Sequence, residues 1–228
     1  NGTFVKTMES VKFLQNQGIK VSSVTVLHKK NVDKIDQLYT FFRDNRIDFR
    51  INPVVKAGNA VTNYNELAIT PLEYGKVICQ LCGLWYIDEK RFQVNPLETI
   101  VGNIMDNQVW GCNYQGRCLQ SIISISPEGN IYPCGRFIGN TEFLIGNILE
   151  CDSLQSAFNN DTYKFLRSRD ASTVEGCRDC DFKNICNAGC MITAHMGNGN
   201  ILDNVSYCGG RNNLFTRFTN EFIPAIEN

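Results

Sequence analysis

Residues 177–190 read CRDCDFKNICNAGC and place four cysteines at spacings of two, five and three intervening residues. Thiolates at such close spacings converge on a soft metal centre, because each cysteine supplies one anionic sulfur and a centre needs about four of them. This density of sulfur ligands suggests an iron–sulfur protein.

Further cysteines extend the pattern on both sides. Cys118 is followed by ten residues and Gly129, and then by four residues and Cys134. Cys112 lies six positions before Cys118, and Cys208 follows the central run. Eight thiolates at these positions predict two metal centres rather than one.

The cysteine content also bears on the compartment. The chain has 11 cysteines among 228 residues, an odd number in a long sequence that shows no secretory leader. Secreted disulfide scaffolds are usually short and pair an even number of cysteines. Metal-bound thiolates in a reducing cytoplasm fit this usage better, and we expect a cytoplasmic protein.

Composition excludes several classes of partner. The net charge is -1 and no run of lysine or arginine occurs, so the sequence indicates neither a nucleic-acid interface nor an anionic membrane surface. No apolar stretch reaches the roughly 20 residues that a spanning helix requires. The sequence begins at Asn1 rather than at an initiator methionine, and we expect it to be part of a longer protein.

The first 88 residues alternate helical and strand patterns. Apolar residues at helical intervals predict a helix over 5–17 that ends at Gly18, then a buried strand over 19–27. A second helix over 31–45, a second strand over 48–55 and a helix from Thr70 to about residue 86 follow. This order predicts parallel strands with right-handed crossovers. Because two strands alone do not make a stable sheet, we expect them to belong to a larger sheet or barrel.

After about residue 90 the helical periodicity fades and asparagine, glycine and cysteine increase. Residues 121–132 predict a β-hairpin, because an alternating apolar run meets Pro127-Glu128-Gly129-Asn130 and then a second strand. We expect a helix over 154–166, a loop-rich stretch with short helical turns over 177–190 and a closing helix over 211–225.

The cysteine pattern resembles the seven-cysteine signature of the SPASM domain, the C-terminal extension of many radical S-adenosylmethionine (radical SAM) peptide-modifying enzymes. The match covers roughly residues 112–208. Residues 1–88 look like the last strands and helices of the partial (β/α)6 barrel of those enzymes. The resemblance therefore implies an α/β partial barrel over residues 1–90, followed by a cysteine-rich α+β SPASM domain over residues 91–228.

The resemblance also implies a ligand set and cofactors. Two auxiliary [4Fe–4S] clusters would be bound, the first by Cys112, Cys118, Cys134 and Cys190 and the second by Cys177, Cys180, Cys186 and Cys208. The full-length parent would bind S-adenosylmethionine and a third [4Fe–4S] cluster. It would be an oxidoreductase that modifies a ribosomally made precursor peptide or a protein, with ferredoxin or flavodoxin as electron donor.

Two departures from the family pattern matter. The C-x3-C-x2-C triplet that holds the SAM-cleaving cluster is missing, so we expect the given chain to be inactive alone. In sulfatase-maturating relatives an Asp follows the hairpin cysteine, whereas Gly135-Arg136-Phe137 follows Cys134 here. This sequence after Cys134 resembles that of maturases that join side chains of ribosomal peptides. Formylglycine-generating enzymes remain an alternative.

Other classes of protein stay open on the residues alone. Two C-x2-C pairs can form an all-thiolate structural zinc site in a peptide-binding domain. A stand-alone electron-transfer module would need the clusters but not the helix–strand pattern of the first 88 residues. Disulfides fit the spacing less well.

The remaining candidates have less specific patterns, and no catalytic residue is identified. Cys79 and Cys82 lie in an apolar helical stretch and are interpreted as small buried residues, and Cys151 as a loop residue without a role. His28 ends a strand, where it could approach a substrate or serve structure only. His195 follows the cysteine run and could donate a hydrogen bond to a metal ligand, but a surface position is expected. Arg136 could pair with a peptide or a carboxylate, and Asp179 and Asp181 flank Cys180 as solvated charges.

Overall fold

The computed structural model describes residues 2–56, 58–89 and 92–224. Its helices are α1 (Thr3–Asn16), α2 (Ile35–Asp44), α3 (Ala60–Leu67), α4 (Pro71–Ile87), α5 (Leu97–Asp106), α6 (Leu154–Ala157), α7 (Asp161–Ser168), α8 (Met191–Asn198) and α9 (Cys208–Arg217). Its strands are β1 (Ser22–Leu27), β2 (Asp48–Pro53), β3 (Val94–Asn95), β4 (Ser124–Ile125), β5 (Asn130–Tyr132) and β6 (Gly146–Asn147). A π-helical turn, Phe218–Phe222, follows α9.

The chain forms two compact units, which are described separately. The first contains Asn1–Val54, Asn63–Val101 and Gly209–Asn228, and the second contains Val55–Thr62 and Gly102–Cys208. Within the described ranges, no helix combines the length and the apolar character that crossing a membrane would demand.

A parallel three-stranded sheet in the order β1-β2-β3 forms the centre of the first unit. Ser22 of β1 pairs with Asp48 of β2, and Phe49 of β2 pairs with Val94 of β3. The parallel pairing of the two predicted strands is confirmed. The third strand was not predicted, because only two of its residues pair and the sequence around it has no alternating pattern.

Local chemistry fixes the C-terminus of α1 and the N-terminus of α4. Gly18 takes φ +76° after α1, and the N–H groups of Gly18 and Ile19 donate to the carbonyls of Gln15 and Leu14 at 2.9 and 3.0 Å. These two hydrogen bonds close the C-terminus of α1, where the backbone needs a residue in the left-handed conformation. Before α4, Thr70 Oγ1 accepts from the Glu73 N–H, and Glu73 Oε2 accepts from the Thr70 N–H, so a capping box starts the helix.

The core of the first unit lies between the sheet and its helices. Phe42 of α2 stacks on Phe49 of β2 with ring centroids 4.6 Å apart. Leu27, Ile78 and Leu81 are fully buried. Since burial of such a side chain contributes about 1.5–3 kcal/mol, this packing rather than helix propensity orders the unit.

Several expectations about this half of the chain are wrong in detail. Strand β1 is not buried on both faces, since Val24 and Val26 are 67% and 46% exposed. Helix α5 occupies a stretch where periodicity seemed to fade. Its fully buried Asn103 interrupts the apolar pattern, but its side chain bonds the Ile185 carbonyl at 2.8 Å and the Trp110 N–H at 2.8 Å.

An antiparallel sheet in the order β4-β5-β6 opens the second unit. The predicted hairpin is confirmed: Ser124 pairs with Tyr132, and Ile131 of β5 also pairs with Gly146 of β6. The predicted helix over 154–166 is wrong as one element, because α6 ends at Ala157 and the Asn160 side chain starts α7 by accepting from the Tyr163 N–H at 2.7 Å. Both sheets contain three strands; a barrel remains a prediction.

Candidate metal centres

The hairpin turn requires the glycine that the sequence pattern contains. Gly129 has φ +84°, and a Cβ at this position would lie 2.7 Å from Asn147 Oδ1. The Asn147 side chain closes the turn by donating to the Glu128 carbonyl and to Asn130 Oδ1, both at 2.9 Å. Strand β5 then delivers Cys134 to the start of a 3-10 turn, Gly135–Phe137, whose Phe137 is fully buried against Phe143.

Three cysteines lie close enough to Cys118 to act on its thiol electrostatically. Burial, together with the neighbouring thiolates of Cys190, Cys134 and Cys112, raises the pKa of the Cys118 thiol to about 12. These neighbours are the other three members of the first predicted ligand set. Hereafter Cys112, Cys118, Cys134 and Cys190 are called the first cysteine group.

A second set converges around Cys177. Burial raises the pKa of the Cys177 thiol to about 11, and the thiolates of Cys208, Cys186 and Cys180 contribute to the same shift. These are the other members of the second predicted set, hereafter the second cysteine group. Mutual repulsion of this kind is relieved when a cationic metal core binds and the thiols release their protons.

A close backbone approach brings the hairpin region to the central cysteine run. A Cβ on Gly116 would collide with the Asn187 carbonyl, so only glycine permits this contact. The Ala171 N–H also donates to Asn187 Oδ1 at 2.7 Å. Cys118 is therefore held beside the segment that carries Cys186 and Cys190.

The donor chemistry of both groups suits a soft metal core. None of the 11 cysteines forms a disulfide, so the sulfurs are available as thiols. Across the described ranges, no three Cys, His, Asp or Glu side chains come together tightly enough to hold a single metal ion. Each group supplies four sulfurs and thus the number that an iron–sulfur cluster takes from protein. The ligation itself remains a prediction.

A buried arginine lies next to both groups and was not predicted from the sequence. The Arg169 side chain is fully buried and donates to the carbonyls of Ala188 at 2.9 Å and Gly189 at 2.8 Å. Burial lowers its pKa, whereas the thiolates of Cys190, Cys177, Cys118 and Cys186 raise it. In the sequence, Arg169 lies in a polar run with Arg167, Ser168 and Asp170. Such a run predicts a solvated surface, so the sequence did not mark Arg169 as buried.

Arg136 and His195 differ from their sequence-based interpretations. Arg136 Nη2 donates to Cys190 Sγ at 2.8 Å rather than to a carboxylate. His195 is half-buried rather than on the surface, and its ring meets Phe143 edge-on with centroids 4.7 Å apart. Its Nδ1 is buried without a hydrogen-bond partner in the described part of the chain.

The other candidates have local roles or exposed positions. His28 Nδ1 accepts from the Lys30 N–H at 3.2 Å in the turn after β1, which is a structural contact. Asp179 and Asp181 are not buried. Cys79 and Cys82 are buried in α4 as expected, and burial raises the pKa of Cys82 to about 12, so this thiol stays protonated at neutral pH.

Cys151 is half-buried against the core that contains Phe143 and Leu166. It is not among the cysteines that shift the pKa of Cys118 or of Cys177. We therefore expect Cys151→Ala to leave the metal content unchanged, as measured by iron analysis after anaerobic reconstitution. Loss of iron in this variant would show that the two groups have been assigned wrongly.

Comparison with known families agrees with this geometry. Residues 112–181 match the SPASM iron–sulfur cluster-binding domain. The matched region contains three cysteines of the first group and two of the second, together with the hairpin.

Full-length relatives extend the comparison beyond that domain. A cysteine-type anaerobic sulfatase-maturating enzyme from Clostridium novyi is 25% identical over 195 residues, which are 83% of this chain and 51% of the relative. A serine-type anaerobic sulfatase-maturating enzyme from Bacteroides thetaiotaomicron is 21% identical, over 82% of this chain and 49% of the relative. The chain spans about half the length of these relatives.

Solved structures share the fold. The structure of anSMEcpe with bound AdoMet covers 99% of this chain with a TM-score of 0.81 and 17% identity, and this chain covers 62% of it. Streptococcus suis SuiB bound to S-adenosylmethionine covers 89% of this chain with a TM-score of 0.60 and 19% identity, and this chain covers 48% of it. The chain therefore contains a SPASM domain, and over most of its length it resembles the C-terminal part of radical SAM/SPASM maturases.

Proposed function

We propose that this chain is the C-terminal part of a maturase that modifies a side chain of a ribosomally made peptide or protein, and that it binds two auxiliary [4Fe–4S] clusters. The observation that supports the proposal is twofold: the thiols act on one another electrostatically in two sets, one around Cys118 and one around Cys177, and the close contact of Gly116 with Asn187 holds Cys118 beside the central run. Cys190 comes from the central run yet belongs with the hairpin cysteines. This crossing links two segments that are distant in sequence.

The cysteines would hold the clusters, and the polypeptide would place and shield them. When bound, such clusters accept or relay single electrons or bind substrate. Cys190 and Cys177 are 2% and 7% exposed, so the protein keeps part of each group away from water. Because ligation requires thiolates, cluster binding would release protons and would strengthen as pH rises towards the thiol pKa values.

Residues 1–90 would complete the catalytic barrel of the parent protein, and residues 91–228 would carry the clusters. Parallel pairing of β1, β2 and β3 supports this division, and Val24 and Val26 give the sheet an exposed apolar face of the kind that the rest of a barrel would cover. The parent would bind S-adenosylmethionine and a third cluster on the missing C-x3-C-x2-C motif. The given chain would therefore not generate a radical by itself.

A peptide substrate is supported by one structural neighbour and by a polar cavity in the second unit. A structure of anSMEcpe holds both AdoMet and a peptide named Kp18Cys, with a TM-score of 0.80 to this chain. In the second unit, a cavity of about 350 Å³ is lined mainly by carboxamides, including Gln115, Gln120, Asn184 and Asn187. Carboxamides both donate and accept hydrogen bonds, as recognition of a peptide main chain requires.

A second candidate is the formylglycine-generating activity that the names of the relatives indicate. Against it, Gly135 and Arg136 follow Cys134 where an acidic residue is expected for that chemistry. The full-length parent distinguishes the two activities. A sulfatase-derived peptide would acquire an aldehyde that hydrazide reagents trap, whereas a cross-linking maturase would yield a product without one.

Anaerobic reconstitution followed by iron and sulfide analysis tests the proposal. We expect about eight irons and eight sulfides per chain, since eight thiolates suffice for two four-iron clusters. A stand-alone electron-transfer module would give the same iron and sulfide counts. The maturase is distinguished from it by a C-x3-C-x2-C motif in the upstream sequence of the parent. Stoichiometric zinc that resists replacement by iron, or a folded chain that takes up no iron, would contradict the proposal.

A further inference from the structure

Arg169 is a buried cation that the protein backbone alone coordinates. Its side chain is 0% exposed, and it donates to the carbonyls of Ile201, Gly116, Gly189, Ala188 and Asp203. None of the ion pairs found in the described ranges includes it. A buried charge is costly unless it is compensated, and carbonyl dipoles supply only part of the compensation.

The carbonyls around Arg169 belong to segments that carry members of both cysteine groups. Gly116 precedes Cys118 by two residues, and Ala188 and Gly189 lie between Cys186 and Cys190. The thiolates that act electrostatically on Arg169 include two from each group. Arg169 therefore supplies positive charge that the two groups share.

A second guanidinium contacts a thiol of the first group directly. Arg136 Nη2 donates directly to Cys190 Sγ at 2.8 Å. In the second group, Cys177 Sγ has a neutral partner, Asn204 Oδ1, at 3.4 Å. The carboxylates of Asp179 and Asp181 flank Cys180. Cys190 of the first group thus accepts from a charged donor, whereas Cys177 of the second group has a neutral partner.

We infer that Arg136 makes the first cysteine group's cluster the easier of the two to reduce, so that a single electron entering the domain resides there. The inference rests on the proposed function, because it presupposes a cluster in each group. Reduction adds one negative charge to a cluster, and hydrogen bonds to its sulfurs and nearby positive charges raise its reduction potential. A charge-assisted donor such as Arg136 stabilises the reduced form more than the oxidised form.

A redox titration of the anaerobically reconstituted chain tests this order. Dithionite supplies the electrons, and electron paramagnetic resonance follows each cluster as it becomes reduced. We expect two separate one-electron steps in the native chain. In Arg136→Gln the upper midpoint should fall so that the reduction equilibrium changes at least tenfold, which is 59 mV for one electron. The lower midpoint should stay in place.

Two further variants sharpen the test. Arg136→Lys keeps the charge and should restore part of the shift. Arg178→Gln removes an equal charge beside the second group, where Arg178 Nε donates only to the Ser172 carbonyl at 3.0 Å, and it should leave the upper midpoint unchanged. If Arg136→Gln loses iron, Arg136→Lys replaces it in the test, and its upper midpoint should fall by a smaller amount.

The outcomes separate this inference from the proposed function. A native chain that takes up no iron would overturn both. A native chain with about eight irons whose midpoints coincide, or whose midpoints do not move in Arg136→Gln, would overturn the inference while leaving the proposed function standing.

Discussion

Cys190→Ala should lose about half of the iron and melt at a clearly lower temperature than the native chain. Cys190 is 2% exposed, lies at the start of α8 and packs in a core with Ile131, Tyr132 and Phe137. Its thiolate is the proposed ligand that joins the central run to the hairpin. Removing it leaves the first group with three sulfurs, fewer than the four that such a cluster takes from protein.

Iron and sulfide analysis with thermal unfolding under anaerobic conditions measures both effects. Cys82→Ala is the matched control, because Cys82 is fully buried but lies in α4, outside both groups. The control removes one buried sulfur and should keep all the iron, so only the packing cost remains. A Cys190→Ala chain with full iron content and native melting would show that Cys190 is not a ligand.

Features that depend on near neighbours in sequence could be predicted. The ends of α1 and α4 follow from Gly18 and from the Thr70–Glu73 pair, since each signal acts within one helical turn. The hairpin follows from an alternating run and Gly129, whose positive φ the turn requires. The spacing of the cysteines likewise indicates metal binding, because cysteines at metal-ligand spacing have few other uses in a chain of this kind. Their division into two ligand sets comes from the family resemblance and stays a prediction.

Features that depend on distant partners could not be predicted. Asn103 looks like a break in an apolar pattern, yet its amide finds a carbonyl 82 residues away, and α5 is continuous through it. Strand β1 looks buried on both faces because Val24 and Val26 are β-branched and apolar, but the described chain leaves them exposed. Pattern reasoning sees the residue type and not what the rest of the fold places against it.

The two arginines show the same limit at the site. Arg169 accounts for five hydrogen bonds, and each acceptor is a main-chain carbonyl that any residue type could supply. No sequence pattern therefore marks those partners. Arg136 looks like a substrate contact because it follows a hairpin cysteine, whereas its partner, Cys190, lies 54 residues further on.

Arg169→Met should destabilise the second unit by more than about 3 kcal/mol, because each buried carbonyl left without a donor costs about 1–3 kcal/mol. Methionine fills a similar volume but offers no N–H, and it leaves five carbonyls from Gly116 to Asp203 without their donor. Removing the buried cation recovers part of its desolvation cost, so the net loss is smaller than the sum over five bonds. A domain is stable by only about 5–15 kcal/mol, and the variant should approach unfolding.

Denaturant unfolding of the metal-free chain under reducing conditions isolates this contribution from cluster binding. Arg178→Met provides the control, because the hydrogen bond from Arg178 Nε to the Ser172 carbonyl is exposed and should contribute little to the free energy of unfolding. Arg169→Lys should recover only part of the loss, since one ammonium group has three donors and cannot reach carbonyls on three segments. Equal stability of Arg169→Met and Arg178→Met would mean that the carbonyls find water instead, and that Arg169 does not hold the cysteine-bearing segments together.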